Sequence, residues 1–221
     1  MRKMIVTIII LLIIFVGMII YRNMAISSSN QVSVQEIEQI ETYITKIYMW
    51  REVTSEALPT FENINEANDM WTWEAVKKNL EDYELSYDQI QEKAKELFGT
   101  DFTKEFPREG TENFTYDEQT GKYYATGMGL DQEEDCFLLN QINPTDTGYE
   151  VEIVEYLEDY SQESQIIIKN LKDEEIGKVE ENQESSSQDI VKNNLDKFTK
   201  KIVTLKKEGD NIYVQRVSNE V

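Results

Sequence analysis

The longest apolar run of the chain lies at its amino-terminal end. Residues 4–20 read MIVTIIILLIIFVGMII. As a helix rising ~1.5 Å per residue they span ~26 Å, close to the ~30 Å hydrocarbon core of a bilayer. Arg2 and Lys3 precede the run and only Arg22 follows it closely, so the positive-inside rule keeps the amino terminus in the cytoplasm. The pattern predicts a cytoplasmic stub and transmembrane anchor over residues 1–22.

A cleaved signal peptide is the alternative interpretation of this run. The apolar segment of a signal peptide has about 7–15 residues and precedes an A-x-A-like cleavage site. Here the run is longer, and the nearest candidate site is Ala25-Ile26-Ser27. We therefore expect a retained single-pass anchor in the cell membrane, then a flexible tether over residues 23–32 and an extracytoplasmic domain over residues 33–221.

Helical spacing of apolar residues follows the tether. Ser33 opens an S-x-x-E capping box, and isoleucines at intervals of 3, 4 and 3 predict a helix over residues 33–57. A second helix is expected over residues 66–83. A third begins with a capping box at Ser86 and ends at Gly99. The apolar face of the first helix consists of Ile37, Ile40, Ile44 and Ile47.

After Gly99 the apolar period changes to two, which is typical of strands. The predicted strands are residues 113–116, 122–126, 136–142, 149–153, 165–169, 201–206 and 212–217. The polar segment 180–189 predicts a surface loop. Helices followed by antiparallel strands indicate an α+β domain in which two or three helices pack on a curved antiparallel sheet.

Composition excludes several classes of protein. The chain has no histidine, a single cysteine, Cys136, and a net charge of −21. These features exclude His-dependent triads, ordinary zinc sites and internal disulfides. The charge also argues against binding to nucleic acid, which depends on Lys and Arg. An acidic surface of this kind suits cationic partners or divalent ions, or serves solubility alone.

Two sets of residues are candidates for a site. Carboxylates clustered within residues 131–135 supply oxygen ligands of the type that Ca²⁺ prefers, although the segment has no EF-hand spacing. A solvated acidic loop is the alternative. These candidate metal ligands are Asp131, Glu133, Glu134 and Asp135. Large amphipathic aromatics near the expected opening between helices and sheet form the candidate ligand site, with core packing as the alternative. They are Trp73, Tyr83, Tyr124 and Tyr156.

The order of elements, with closing strands KKIVTLKKEGDNIYVQRV, resembles the nuclear transport factor two-like or cystatin-like domain. Small membrane-anchored extracytoplasmic proteins of Gram-positive bacteria contain such domains. The resemblance covers roughly residues 33–218 and carries no catalytic residues over. It implies a concave sheet face that binds a ligand or a partner, in a family that ranges from enzymes to subunits of secretion and conjugation machines.

These observations favour a membrane-anchored, outward-facing, non-enzymatic binding or interaction domain without a cofactor. Its expected partners are the lipid bilayer, through residues 4–20, and envelope proteins or a cationic partner. Two alternatives stay open. One is a structural subunit of an envelope secretion or conjugation assembly, and the other is an enzyme that depends on carboxylates and a divalent cation.

The anchor generates a prediction about topology. The mature protein should keep its amino terminus, because the apolar run is long and the cleavage site is poor. Protease added to cells without their wall should digest the domain, as followed by immunoblotting. A secreted form beginning near Ser28 would contradict the retained anchor, and a protease-protected domain would contradict the orientation.

Overall fold

The computed structural model describes residues 32–125, 133–180 and 186–220. The predicted anchor, nearly all of the tether and Asp131 lie outside these ranges. Among the described residues, no helix has the length and apolar character needed to cross a bilayer. The expected topology therefore stays a prediction.

The described ranges contain five α-helices and ten strands. The helices are α1 (Val34–Ile47), α2 (Arg51–Thr54), α3 (Asp69–Lys78), α4 (Tyr87–Phe98) and α5 (Ser187–Lys192). The strands are β1 (Glu84–Leu85), β2 (Gly110–Thr111), β3 (Phe114–Asp117), β4 (Lys122–Ala125), β5 (Glu133–Pro144), β6 (Gly148–Asp159), β7 (Gln165–Lys169), β8 (Glu175–Glu180), β9 (Thr199–Glu208) and β10 (Asn211–Asn219). Short 3₁₀ turns occur at Ile64–Glu66 and Leu195–Lys197.

Helix α1 begins with the predicted capping box. The Ser33 hydroxyl accepts a hydrogen bond from the Glu36 N–H at 3.2 Å, and the Glu36 carboxylate accepts one from the Ser33 N–H at 3.0 Å. The isoleucine face is also confirmed. Ile40, Ile44 and Ile47 are fully buried, and Ile37 packs against the same cluster.

Helix α1 is shorter than the prediction of residues 33–57. It ends at Ile47 because the next residues make tertiary hydrogen bonds in an extended conformation. The Tyr48 hydroxyl donates to the Cys136 carbonyl oxygen at 3.0 Å, and the Met49 N–H donates to the Ala57 carbonyl oxygen at 2.8 Å. The spacing of apolar residues along one helix does not reveal these hydrogen bonds, because their acceptors lie further along the chain.

Helix α3 is likewise shorter than the predicted residues 66–83. The Asn68 side chain caps it at its start, and α3 ends at Lys78. The Tyr83 carbonyl oxygen instead accepts a hydrogen bond from the Ala125 N–H, which joins this segment to β structure. Helix α4 matches its prediction, with the capping box at Ser86 and its end at Gly99, where φ is +89°.

The strands form two antiparallel sheets, which corrects the prediction of a single sheet. The smaller sheet has the order β1-β4-β3-β2. It is separate because the predicted hairpin β3–β4 pairs with two short segments, β1 and β2, that carry no strand pattern of their own. In the larger sheet, β6 pairs with β5 on one side and with β9 and β7 on the other. Strands β10 and β8 complete it. The α+β class is confirmed.

Strand β6 separates two apolar clusters. Alternate residues Tyr149, Val151 and Ile153 face the main core, which contains the helices α1, α3 and α4. Val154 and Tyr156 face a smaller cluster on the other side of the sheet. The further buried members of the smaller cluster are Leu138, Ile168, Val191 and Phe198.

The predicted surface loop over residues 180–189 is only partly correct. Glu180 is the last residue of β8, and residues 181–185 lie outside the described ranges. From Ser186 the chain is helical, because a capping box between Ser186 and Asp189 opens α5. Val191, two residues beyond the predicted loop, is fully buried, so the helix that starts inside the segment packs on the smaller cluster.

Truncation of Ile44 tests the main core. Ile44→Ala should lower the free energy of unfolding by about 2–5 kcal/mol, because a fully buried isoleucine leaves a cavity when cut back. Urea unfolding followed by tryptophan fluorescence measures the loss. The exposed Thr42 of the same helix supplies the control, and Thr42→Ala should change stability by less than about 0.5 kcal/mol. Equal losses of unfolding free energy in both variants would contradict the assignment of Ile44 to the buried face of α1.

Candidate binding cleft beside strand β5

A cleft of about 250 Å³ lies between the end of α1, the turn at residues 48–50 and the first half of β5. Aromatic, acidic, cationic and thiol side chains converge in it. The lining residues are Glu41, Thr45, Tyr48, Met49, Trp50, Lys78, Glu134, Asp135, Cys136, Phe137 and Tyr156. A larger cleft of about 370 Å³ lies between α1, α4 and β10, but its buried Tyr43 hydroxyl is already bonded to the Leu97 carbonyl and the Val214 N–H.

The turn that shapes the cleft is fixed by Tyr48. Its hydroxyl donates to the Cys136 carbonyl oxygen, and its ring centroid lies 5.0 Å from that of Phe137. Burial, with the nearby Glu155 carboxylate, raises the pKa of Tyr48 well above its usual value. The hydroxyl therefore stays protonated and serves as a structural donor.

Lys78 closes the same turn from α3. Its ammonium donates to the carbonyl oxygens of Thr45 at 2.9 Å and Tyr48 at 2.8 Å, and lies 5.5 Å from the centroid of a Trp50 ring. These carbonyls belong to the end of α1, where a helix favours positive charge. Burial lowers the pKa of Lys78, against the opposing effect of Glu134.

A buried ion pair lies beneath Tyr48. The Glu155 carboxylate on β6 is 3.2 Å from the Lys201 ammonium on β9, and Tyr48 donates to the other carboxylate oxygen at 3.4 Å. Lys201 also donates to the Leu58 carbonyl oxygen and lies 3.3 Å from Glu56. Burial raises the pKa of Glu155, while Lys201 opposes that effect. Strong desolvation makes each charge depend on its partner.

The strand pattern of the sequence contains a signal for this pair that no motif carries. Along β6 the odd-numbered residues Tyr149, Val151 and Ile153 are apolar and face the main core, and Glu155 continues that register. Lys201 occupies the same register on β9, ahead of Val203. A charged residue in the apolar phase of a strand indicates a buried partner.

The candidate metal ligands do not form one cluster. Asp131 lies outside the described residues. Asp135 accepts from the N–H and the Nε of Arg51, and Glu133 pairs with Lys169 at 2.6 Å. Successive residues of a strand point to opposite faces, so Glu134 is turned away from both.

Glu134 instead lies near Cys136 and Glu158, with ligand atoms within 4.8 Å of one another. Burial raises the pKa of the Cys136 thiol, and the carboxylates of Glu158 and Glu134 raise it further. Burial also raises the pKa of Tyr156, and the Cys136 side chain hydrogen-bonded to it and the Glu158 carboxylate raise it further. Nucleophilic cysteine chemistry requires the thiolate, and this environment disfavours the thiolate.

The four candidate aromatics do not share one surface. Trp73 is buried in the main core against Phe102 and Phe106. Tyr83 is exposed, and the half-buried Tyr124 pairs with Glu84 in the smaller sheet. Among the four, Tyr156 alone lines the cleft beside β5.

Comparison with known proteins finds no matching family model, no matching curated protein and no matching solved structure.

Removal of one charge tests the ion pair. Lys201→Met should destabilise the domain by about 3–5 kcal/mol at pH 7, because Glu155 is left buried without its counter-charge. Burial raises the pKa of Glu155 in the folded state, so the folded protein loses stability as pH rises. The stability lost in Lys201→Met should therefore be smaller at about pH 5 than at pH 7. Urea unfolding at both pH values measures this.

The matched control is the double variant Glu155→Leu with Lys201→Met. The double variant should regain most of the stability lost in Lys201→Met, because two apolar side chains of similar volume leave no buried charge. A double variant as unstable as Lys201→Met would show that the pair has another role.

Proposed function

We propose that the chain is a membrane-anchored, outward-facing, non-enzymatic binding domain whose site is the cleft beside β5. The observation that supports the proposal is the protonation behaviour of the hydroxyl and thiol groups in the cleft. Burial raises the pKa of Tyr48, Cys136 and Tyr156, which favours their neutral forms, whereas the side chains of Glu41 and Glu134 are exposed at the rim. Such a site lacks an activated nucleophile among its described lining residues and suits recognition of positive charge.

The position of the cleft supports an outward-facing role. Helix α1 starts directly after the tether, and the cleft lies at its other end. A helix of 14 residues is ~21 Å long, so the cleft is displaced from the anchored end of the domain by about that length.

The curved, cone-like arrangement of the nuclear transport factor two-like or cystatin-like domain belongs to the same proposal. Helices α1, α3 and α4 packed on one face of the larger sheet support it. Membership of an envelope assembly is the alternative function, and the long outer strand β5 favours it, since such strands pair with other chains.

Photo-crosslinking in the native cell tests the proposed site. A photoreactive residue at the exposed Thr45, inside the cleft, should give adducts with defined partners that mass spectrometry identifies. The adducts should decrease at high salt, because exposed charges are screened. The same residue at the exposed Glu118, in the β3–β4 turn, is the control. Identical adducts at both positions, or none at Thr45, would contradict the proposed site.

A further inference from the structure

Two clefts meet at the side chain of Tyr213, on β10. The larger, of about 370 Å³, lies between α1, α4 and β10, and the smaller, of about 70 Å³, lies beside Gly99 and the turn at Asn63 and Ile64. Because Tyr213 lines both, they form one surface depression, which we call the Tyr213 groove. Among the described residues, none that lines this groove also lines the cleft beside β5.

The ring of Tyr213 is fixed in place by the end of α4. Gly99 has a φ of +89°, and a Cβ atom at this position would lie 2.9 Å from the Tyr213 Cγ atom. The backbone of Gly99 therefore covers part of the ring directly. The rest of the side chain remains half-exposed between the two clefts. A ring that is ordered before a ligand arrives loses little entropy on binding, which favours stacking of a ligand on it.

Neutral hydrogen-bonding side chains line both parts of the Tyr213 groove. Those of the larger cleft come from one face of α1 and from the start of β10, and they are Gln35, Gln39, Thr42 and Asn211. Those of the smaller cleft are Asn63, Thr100 and Gln215. Amide side chains both donate and accept hydrogen bonds, and so do hydroxyl groups. The walls therefore match a ligand that carries many hydroxyl groups.

The charge of the Tyr213 groove is nearly balanced, although the whole chain carries −21. In the smaller cleft the Lys206 ammonium lies 2.7 Å from the Asp101 carboxylate and 2.6 Å from that of Glu208. In the larger cleft Glu96 is paired with Lys93 at 2.9 Å, and one further glutamate and one lysine on α1 oppose each other in sign. A ligand without net charge fits this surface better than an ion.

The backbone of β10 disfavours an extended peptide as that ligand. The Val214 N–H donates to the Tyr43 hydroxyl at 2.8 Å, and Val217 exchanges backbone hydrogen bonds with Phe61. These contacts occupy backbone groups of β10 on the side that faces away from β9. A partner strand, which depends on such groups, therefore cannot pair along this edge.

We propose that the Tyr213 groove binds a neutral oligosaccharide. One sugar ring packs its C–H face on Tyr213, and the neighbouring sugars bond through their hydroxyl groups to the amide and hydroxyl side chains on either side. The larger cleft alone has a volume within the range of about 300–1,000 Å³ that is usual for small-molecule sites. This is a second site, separate from the cleft beside β5, and the inference does not rest on the proposed function.

Four probes test the inference by isothermal titration calorimetry of the full chain in nanodiscs of zwitterionic lipid. They are a β-1,4-linked N-acetylglucosamine tetramer, a β-1,4-linked glucose tetramer, a galacturonate tetramer and an uncharged serine–threonine–asparagine peptide. At least one neutral tetrasaccharide should bind with a Kd of about 1 mM or tighter, and at least about ten-fold more tightly than the galacturonate tetramer or the peptide. Binding of neither neutral sugar, equal binding of the acidic sugar, or tighter binding of the peptide would overturn the proposal.

Two matched substitutions on α1 locate the site. Thr42→Trp places a large side chain in the larger cleft from an exposed position and should abolish sugar binding. Thr45→Trp is the control, because Thr45 is exposed on the same helix but lines the cleft beside β5, and it should leave sugar binding unchanged. Loss of sugar binding in both variants, or in neither, would contradict the assigned groove.

Removal of a wall side chain provides an independent test of the groove. Asn211→Ala shortens an exposed residue at the start of β10, and it should weaken sugar binding by about three- to ten-fold through the loss of one hydrogen-bonding group. Urea unfolding should show an unchanged midpoint. An unchanged affinity for the neutral tetrasaccharide would contradict the assigned wall. Failure of these tests would leave the site beside β5 standing, because that site is probed by crosslinking at Thr45.

Discussion

The buried ion pair between Glu155 and Lys201 joins the centre of the larger sheet to the turn that shapes the cleft. Charges taken out of water destabilise a fold unless every neighbouring polar group is placed to satisfy them. Here Tyr48, Glu56 and Leu58 provide those neighbours. Because all three belong to the segment after α1, the helix ends at Ile47 and the chain turns across the edge of the sheet.

That turn gives the cleft a character suited to binding. Its hydroxyl and thiol groups are buried enough to remain protonated, and Lys78 is committed to the end of α1. The groups left for a partner are rim carboxylates and aromatic surface. These groups suit recognition of positive charge, and they require no reactive side chain.

Local patterns in the sequence predicted the local structure well. The capping boxes at Ser33 and Ser86, the isoleucine face of α1 and the hairpin β3–β4 all depend on neighbours within a few residues. The end of α1 and the division into two sheets depend on contacts between residues far apart in the sequence. The spacing of apolar residues within one segment does not reveal such contacts. Among the residues that line the cleft, the sequence suggested Tyr156 as a ligand contact and Glu134 and Asp135 as metal ligands. Their shared position beside β5 follows only from the pairing of β5 with β6.

The central claim is that partners bind in the cleft beside β5. Amide hydrogen exchange of the full chain, with and without a saturating lysine-bearing peptide, tests it most directly. Slower exchange should appear at Cys136 and its neighbours on β5 and at the turn around Trp50. Protection that appears instead in the cleft between α1, α4 and β10, around Leu97 and Tyr213, would contradict the claim.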